Sequence, residues 1–139
     1  MNEQELIAFA EKYTAAWCSQ NAASVAAFYA EDGSLKINDA SPAVGRTAIT
    51  AAAQSFMTAF PDLVVKMNSV NFKGQQAMYH WTLTGNHTSG QFVQISGYEE
   101  WHFSADGLIA QSQGHFDEVD YQRQLNNKLH TRGSIFSSK

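Results

Sequence analysis

The sequence is poor in the residues that would tie it to a metal, a membrane or a nucleic acid. It has one cysteine, Cys18, so no disulfide can close within the chain, and no Cys/His cluster with zinc spacing surrounds it. A buried, structural thiol on a helix is expected there. Only two prolines occur, and with 12% aromatic residues the chain is neither disordered nor low in complexity. Nine Lys+Arg against 13 Asp+Glu give a net charge of -4, the wrong sign for a nucleic-acid or anionic-membrane footprint. No stretch approaches the ~20 apolar residues that cross a bilayer. The start, Met1-Asn2-Glu3-Gln4-Glu5, is acidic and polar rather than basic and then apolar. A cytoplasmic protein with no membrane and no nucleic-acid partner is the expectation. Gly-rich phosphate loops and Gly-x-Ser-x-Gly are absent, which sets aside nucleotide-dependent and serine-hydrolase chemistry, and without a dedicated pattern such as His-Glu-x-x-His a Zn or Fe site on Glu100, His102, His115 and Asp117 is disfavoured.

What is present is 139 residues, 44% of them hydrophobic, enough for one domain with its own core. Asn2 followed by Glu5 has the capping-box pattern, and Leu6, Phe9, Tyr13 and Trp17 recur at helical spacing, predicting a helix to about Ser19. Asn21 caps a second, shorter helix carrying Val25, Phe28 and Tyr29 on one face, ended by Glu31-Asp32-Gly33. Ser34 to Ile37 alternates like a short strand. Ile49, Ala53, Phe56, Met57 and Phe60 mark a third amphipathic helix, which Pro61 stops.

Beyond Asp62 the period changes from 3.6 to 2. Strands are predicted over Val64 to Phe72, Ala77 to Gly85, Gln91 to Phe103 and Leu108 to Phe116, with turn signals short enough for hairpins between them. Helices first and strands later is an α+β layout, with an antiparallel meander. A last short helix from about Asp120 to Leu129 follows, and the tail from 127 to 139 is expected to lie outside the domain, which spans 1–126.

The element order resembles the cone-shaped fold of the nuclear transport factor 2-like superfamily. Tyr13 and Trp17, Phe28-Tyr29-Ala30-Glu31-Asp32, Val44-Gly45-Arg46, Phe60-Pro61-Asp62, Trp81-Thr82-Leu83-Thr84-Gly85, Asp106-Gly107-Leu108-Ile109 and Asp117-Glu118 before Arg123-Gln124-Leu125 are similar to motifs of its SnoaL-like polyketide cyclase branch. The resemblance implies a curved antiparallel sheet with three N-terminal helices on its concave face, and a cavity between them for a small apolar or carbonyl-bearing molecule. It also implies pairing into homodimers through the sheet. In such cyclases an Asp on the last strand, here Asp117, is the acid/base of a cofactor-independent aldol closure, with a His on the neighbouring strand, here His102, beside it.

The residues allow that chemistry in one arrangement. Period-2 geometry puts Gln111, Gln113, His115 and Asp117 on one face of the last strand, and Tyr98, Glu100 and His102 in one row of the strand before it. A hairpin through 104–107 juxtaposes these rows unless a bulge changes the register. Over a cavity closed by Phe9, Tyr13, Trp17, Phe56 and Phe60, desolvation would raise the Asp117 carboxyl towards neutrality, with His102 or His115 as complementary acid and Tyr13 as a phenolic donor. Tyr13, Trp17, Phe56, Phe60, Gln113, His115 and Glu100 are then the residues expected to meet the substrate. Against this, Asp117 suits a helix N-cap, the histidines suit a satisfied sheet face, and Tyr13 and Trp17 suit a packed core. Two functions stay open: an aldol cyclase, isomerase or related lyase without metal or cofactor, and a noncatalytic small-molecule-binding or dimerisation module.

Overall fold

The computed structural model describes residues 1–126. Helix α1 (Glu3–Cys18) opens with the capping box read from the sequence: Asn2 accepts from the Glu5 N–H and Glu5 reaches back to the Asn2 N–H. Helix α2 (Ala22–Ala26) is capped by Asn21. Strand β1 (Tyr29–Ile37), strand β2 (Ala43–Val44) and helix α3 (Arg46–Ala59) follow. The meander is β3 (Val64–Lys73), β4 (Gln76–Asn86), β5 (Phe92–Phe103) and β6 (Ile109–Phe116), and helix α4 (Glu118–Asn126) closes the described chain. The expected continuation of α4 to Leu129 and the 127–139 tail lie outside the described residues.

Six strands form one sheet in the order β2-β1-β6-β5-β4-β3. The meander strands begin and end within a residue of where the alternation places them. The sheet is mixed, however, and not antiparallel throughout: β1 runs parallel to β6, with Leu35 opposite Ser112 and Ile37 opposite Gly114. That strand is also longer than the sequence suggested. Tyr29 does not continue α2; the Ile109 N–H bonds the Phe28 carbonyl, and Tyr29 starts β1 with its ring fully buried. Among the described residues there are four helices, three of them ahead of β3. None is long and apolar enough to cross a membrane.

One face of the curved sheet carries Tyr79, Leu83, Val93, Ile95, Trp101 and Ile109, all buried in a common core with Leu6, Tyr13, Trp17, Ile49 and Met57 of the helices. Aromatic rings fill its centre: Trp101 stacks on Tyr79 at 4.8 Å, and Phe9 meets Phe28, Trp101 and Phe103 edge-on. Cys18 departs from expectation, since it lies on the exposed side of α1, where its sulfur meets the Val65 backbone N–H and carbonyl.

Candidate functional site

The helix-facing row of β5 reads Val93, Ile95, Gly97, Glu99, Trp101, Phe103, and the lone carboxylate in it goes into the core with its neighbours because strand geometry leaves it no other direction. Glu99 is 8% exposed. Its Oε1 accepts from Tyr13 Oη on α1 at 2.9 Å, from Trp101 Nε1 at 2.8 Å and from Ser112 Oγ on β6 at 2.9 Å. With Tyr13 donating to Glu99, the Tyr29 hydroxyl donates to Tyr13 at 2.9 Å. Three convergent donors are what a buried carboxyl requires, since an unpaired one would cost several kcal/mol, about 1–3 or more.

All of those bonds fall on Oε1. Among the described residues Oε2 of Glu99 accepts no side-chain or backbone hydrogen bond, and Glu99 is one of the residues that line a cavity. That cavity, of about 50 Å³, lies between sheet and helices. Trp17, Phe56, Tyr79, Trp81 and Phe116 give it aromatic walls, with aliphatic side chains from β1, β3, β4 and β5 between them. It is large enough for more than one water molecule and is almost wholly apolar apart from Glu99.

Burial raises the Glu99 carboxyl above its ordinary range, partly opposed by the hydrogen bonds from Trp101, Tyr13 and Ser112. Burial likewise pushes the Tyr13 and Tyr29 hydroxyls well up, helped by the nearby Glu99 charge, which keeps both phenols as donors. The site is a buried carboxyl that holds its proton more tightly than an exposed glutamate does.

Of the residues expected from the sequence, Trp17 and Phe56 line this cavity, and Tyr13 touches its carboxyl. Phe60 does not line it: it is fully buried in the core, against His87 and Tyr121. The remaining polar residues lie elsewhere. Asp117 is exposed and its Oδ1 accepts from the Asp120 N–H, capping α4. His102, Glu100, His115 and Gln113 sit on the sheet face opposite Glu99 and Ser112, where Glu100 meets His115 at 3.2 Å and Tyr98 stacks on His115 at 4.8 Å. Their rows do come together as expected, with Glu100 opposite Gln113 and His102 opposite Gln111, but they turn away from the helices. The register shift after His102 leaves Ala110 as an extra residue in β6. Glu99 itself was missed, although a single acid in an otherwise apolar row was its signal. Among the described residues no group of three or more His, Cys, Asp or Glu side chains is placed to hold a metal ion.

Comparison with known proteins agrees with this fold. A sequence profile of the SnoaL-like polyketide cyclases matches residues 7–125. No curated protein matches the chain. Among solved structures, a putative SnoaL-like polyketide cyclase from Jannaschia sp. CCS1 superposes with a TM-score of 0.73 at 15% identity, covering 91% of this chain and 98% of its own. AclR, a putative hydroxylase from Streptomyces galilaeus, gives 0.76 at 20% identity over 89% and 82% of the two chains. A hypothetical protein with a ketosteroid isomerase-like fold from Catenulispora acidiphila, solved with trimethylamine, gives 0.76 at 14% identity over 84% and 90%. At these identities the likeness is one of fold, whereas the profile match spans most of the sequence. The chain therefore belongs to the SnoaL-like polyketide cyclase family.

Proposed function

We propose that the protein is a cofactor-independent acid/base enzyme acting on a small, partly apolar carbonyl compound, with Glu99 as the proton-transfer group. The single observation that carries this reading is the Glu99 carboxyl, held through one oxygen by three donors at the wall of an apolar cavity. As a carboxylate, Oε2 takes a proton from the carbon next to a bound carbonyl, and the C–H electron pair becomes the enolate. The resulting carboxylic acid returns a proton to the same ligand, which gives isomerisation, or to the oxygen formed when the enolate attacks a second carbonyl, which gives an aldol closure. Tyr13, Trp101 and Ser112 hold the carboxyl in place and adjust its acidity without touching the ligand. Trp17, Phe56 and Trp81 exclude water, which strengthens each charge interaction inside.

A second reading has its own support. Aromatic walls around one carboxyl also suit a small tertiary ammonium, through cation–π attraction and charge pairing, and the Catenulispora acidiphila relative was solved with trimethylamine. In that case the protein binds and does not catalyse. Incubation with small apolar ketones in D₂O separates the two. The enzyme reading requires deuterium to enter next to the carbonyl with the wild type and not with Glu99→Gln, while Asp117→Asn behaves as wild type. Binding of trimethylamine with no exchange into any ketone favours the noncatalytic module.

Self-association belongs to the same proposal. The sheet face away from the helices carries a cross-strand row of His80, Tyr98 and His115 with Glu100 beside it, half-buried already within one chain and suited to pack on a second copy.

A further inference from the structure

We infer that Gly114 is a specificity-determining residue of this site: its missing side chain is the space in which the ligand's carbonyl end lies, flat against the backbone of β6 and beside Glu99. The inference rests on the cavity being a ligand site, as proposed above. A glycine in the middle of a strand weakens it, because it orders a flexible backbone and packs nothing, so its presence calls for a reason. Elsewhere in this sheet the reason is steric. A Cβ on Gly97 would come within 2.2 Å of the His115 carbonyl oxygen and 2.7 Å of Trp81 Cζ2, which no rearrangement of a flexible side chain relieves.

Gly114 has neither that reason nor the other usual one. Its φ is not in the left-handed region that favours glycine. A Cβ there would meet the Lys36 carbonyl oxygen at 3.6 Å, Glu99 Cγ at 3.7 Å and Ile37 Cγ1 at 4.0 Å, all ordinary contacts. Backbone and packing would both accept alanine. The register explains what the absence provides. Gly114 sits directly between Ile37 on β1 and Glu99 on β5, and all three line the cavity. The volume a side chain would fill is therefore the part of the cavity adjoining the carboxyl, and a planar carbonyl group can approach the bare strand there closely enough to meet Oε2.

The test is Gly114→Ala, read by thermal melting and by NMR titration with two probes, cyclohexanone and acetone, followed through the indole N–H signals of Trp17 and Trp81. The expected result is a Tm unchanged or raised by about 2–4 °C, cyclohexanone affinity weakened about tenfold or more, and acetone affinity changed less than twofold. Equal effects on both ketones, no effect on cyclohexanone, or a Tm lowered by about 5 °C or more would overturn the inference, the last by showing that the fold itself needs glycine. Failure of the enzyme reading looks different: the wild type would bind cyclohexanone, and lose that binding in Gly114→Ala, without exchanging its α-hydrogens in D₂O. A wild type that binds neither ketone overturns both.

Discussion

Glu99 is costly to the fold and central to the cavity for the same reason: its carboxyl is buried away from bulk solvent. Because burial raises its carboxyl above the usual 4.5, the folded protein keeps a proton that the unfolded chain gives up. Its contribution is therefore fully favourable below the ordinary carboxylate range, is lost as pH rises through the raised folded value, and is flat beyond it. The exposed Asp62, Asp106 and Asp120 carboxyls, lowered mainly by bonds to Asn86, Ser104 and Arg123, act with the opposite slope in acid. Subtracting the melting curve of Glu99→Gln from that of the wild type isolates Glu99. The wild type should lose Tm relative to the variant as pH is raised from about 4 towards 8, and a difference that does not change with pH would contradict the burial argument. Tyr13→Phe removes one donor from Glu99 and leaves Tyr29 without its partner, so denaturant unfolding should show a loss of about 1–3 kcal/mol. The same variant should raise the Glu99 carboxyl further, since the Tyr13 bond lowers it.

At the scale of elements, Asp117 after the last strand and Gly97 within β5 do different work. Asp117 starts α4, which packs through Tyr121 edge-on against Phe116 at 5.7 Å and is tied to β5 by Gln124 on the Gln94 backbone. Asp117→Ala should cost about 0.5–2 kcal/mol as a lost cap, measured by unfolding, and leave ketone binding intact. Gly97→Ala should destabilise by about 1–3 kcal/mol or more, as overpacking against the neighbouring backbone. The meander was legible in the sequence because alternation and turn residues are local signals, and α1 was legible because Asn2 and Glu5 sit at capping-box spacing. The parallel union of β1 with β6 was not, because Glu31-Asp32-Gly33 has turn composition and the pairing joins segments some 80 residues apart. The site was half legible. Tyr13, Trp17 and Phe56 follow from helical spacing, but the family resemblance implied Asp117 and His102, and a row of polar residues on two adjacent strands was compatible with it. Such a row is more often the outward face of an antiparallel sheet, and the telling residue is the acid in the apolar row.

Across the whole molecule, helices and sheet leave an apolar cavity on one side of the sheet and a polar, half-buried aromatic row on the other. Sedimentation at micromolar concentration should find a dimer, and Tyr98→Arg should shift it towards monomer without changing cyclohexanone affinity; a wild-type monomer would remove the pairing proposal and leave the cavity untouched. The central claim is that the cavity wall holds a carboxyl whose proton is bound more tightly than those of the exposed glutamates. It is tested most directly by a ¹³C NMR titration of the glutamate side-chain carboxyls, with Glu99 assigned by the signal missing in Glu99→Gln. The account predicts a Glu99 midpoint clearly above those of the other glutamates, falling back towards them when the protein is unfolded in urea. A Glu99 carboxyl that titrates with the surface glutamates in the folded protein would contradict it.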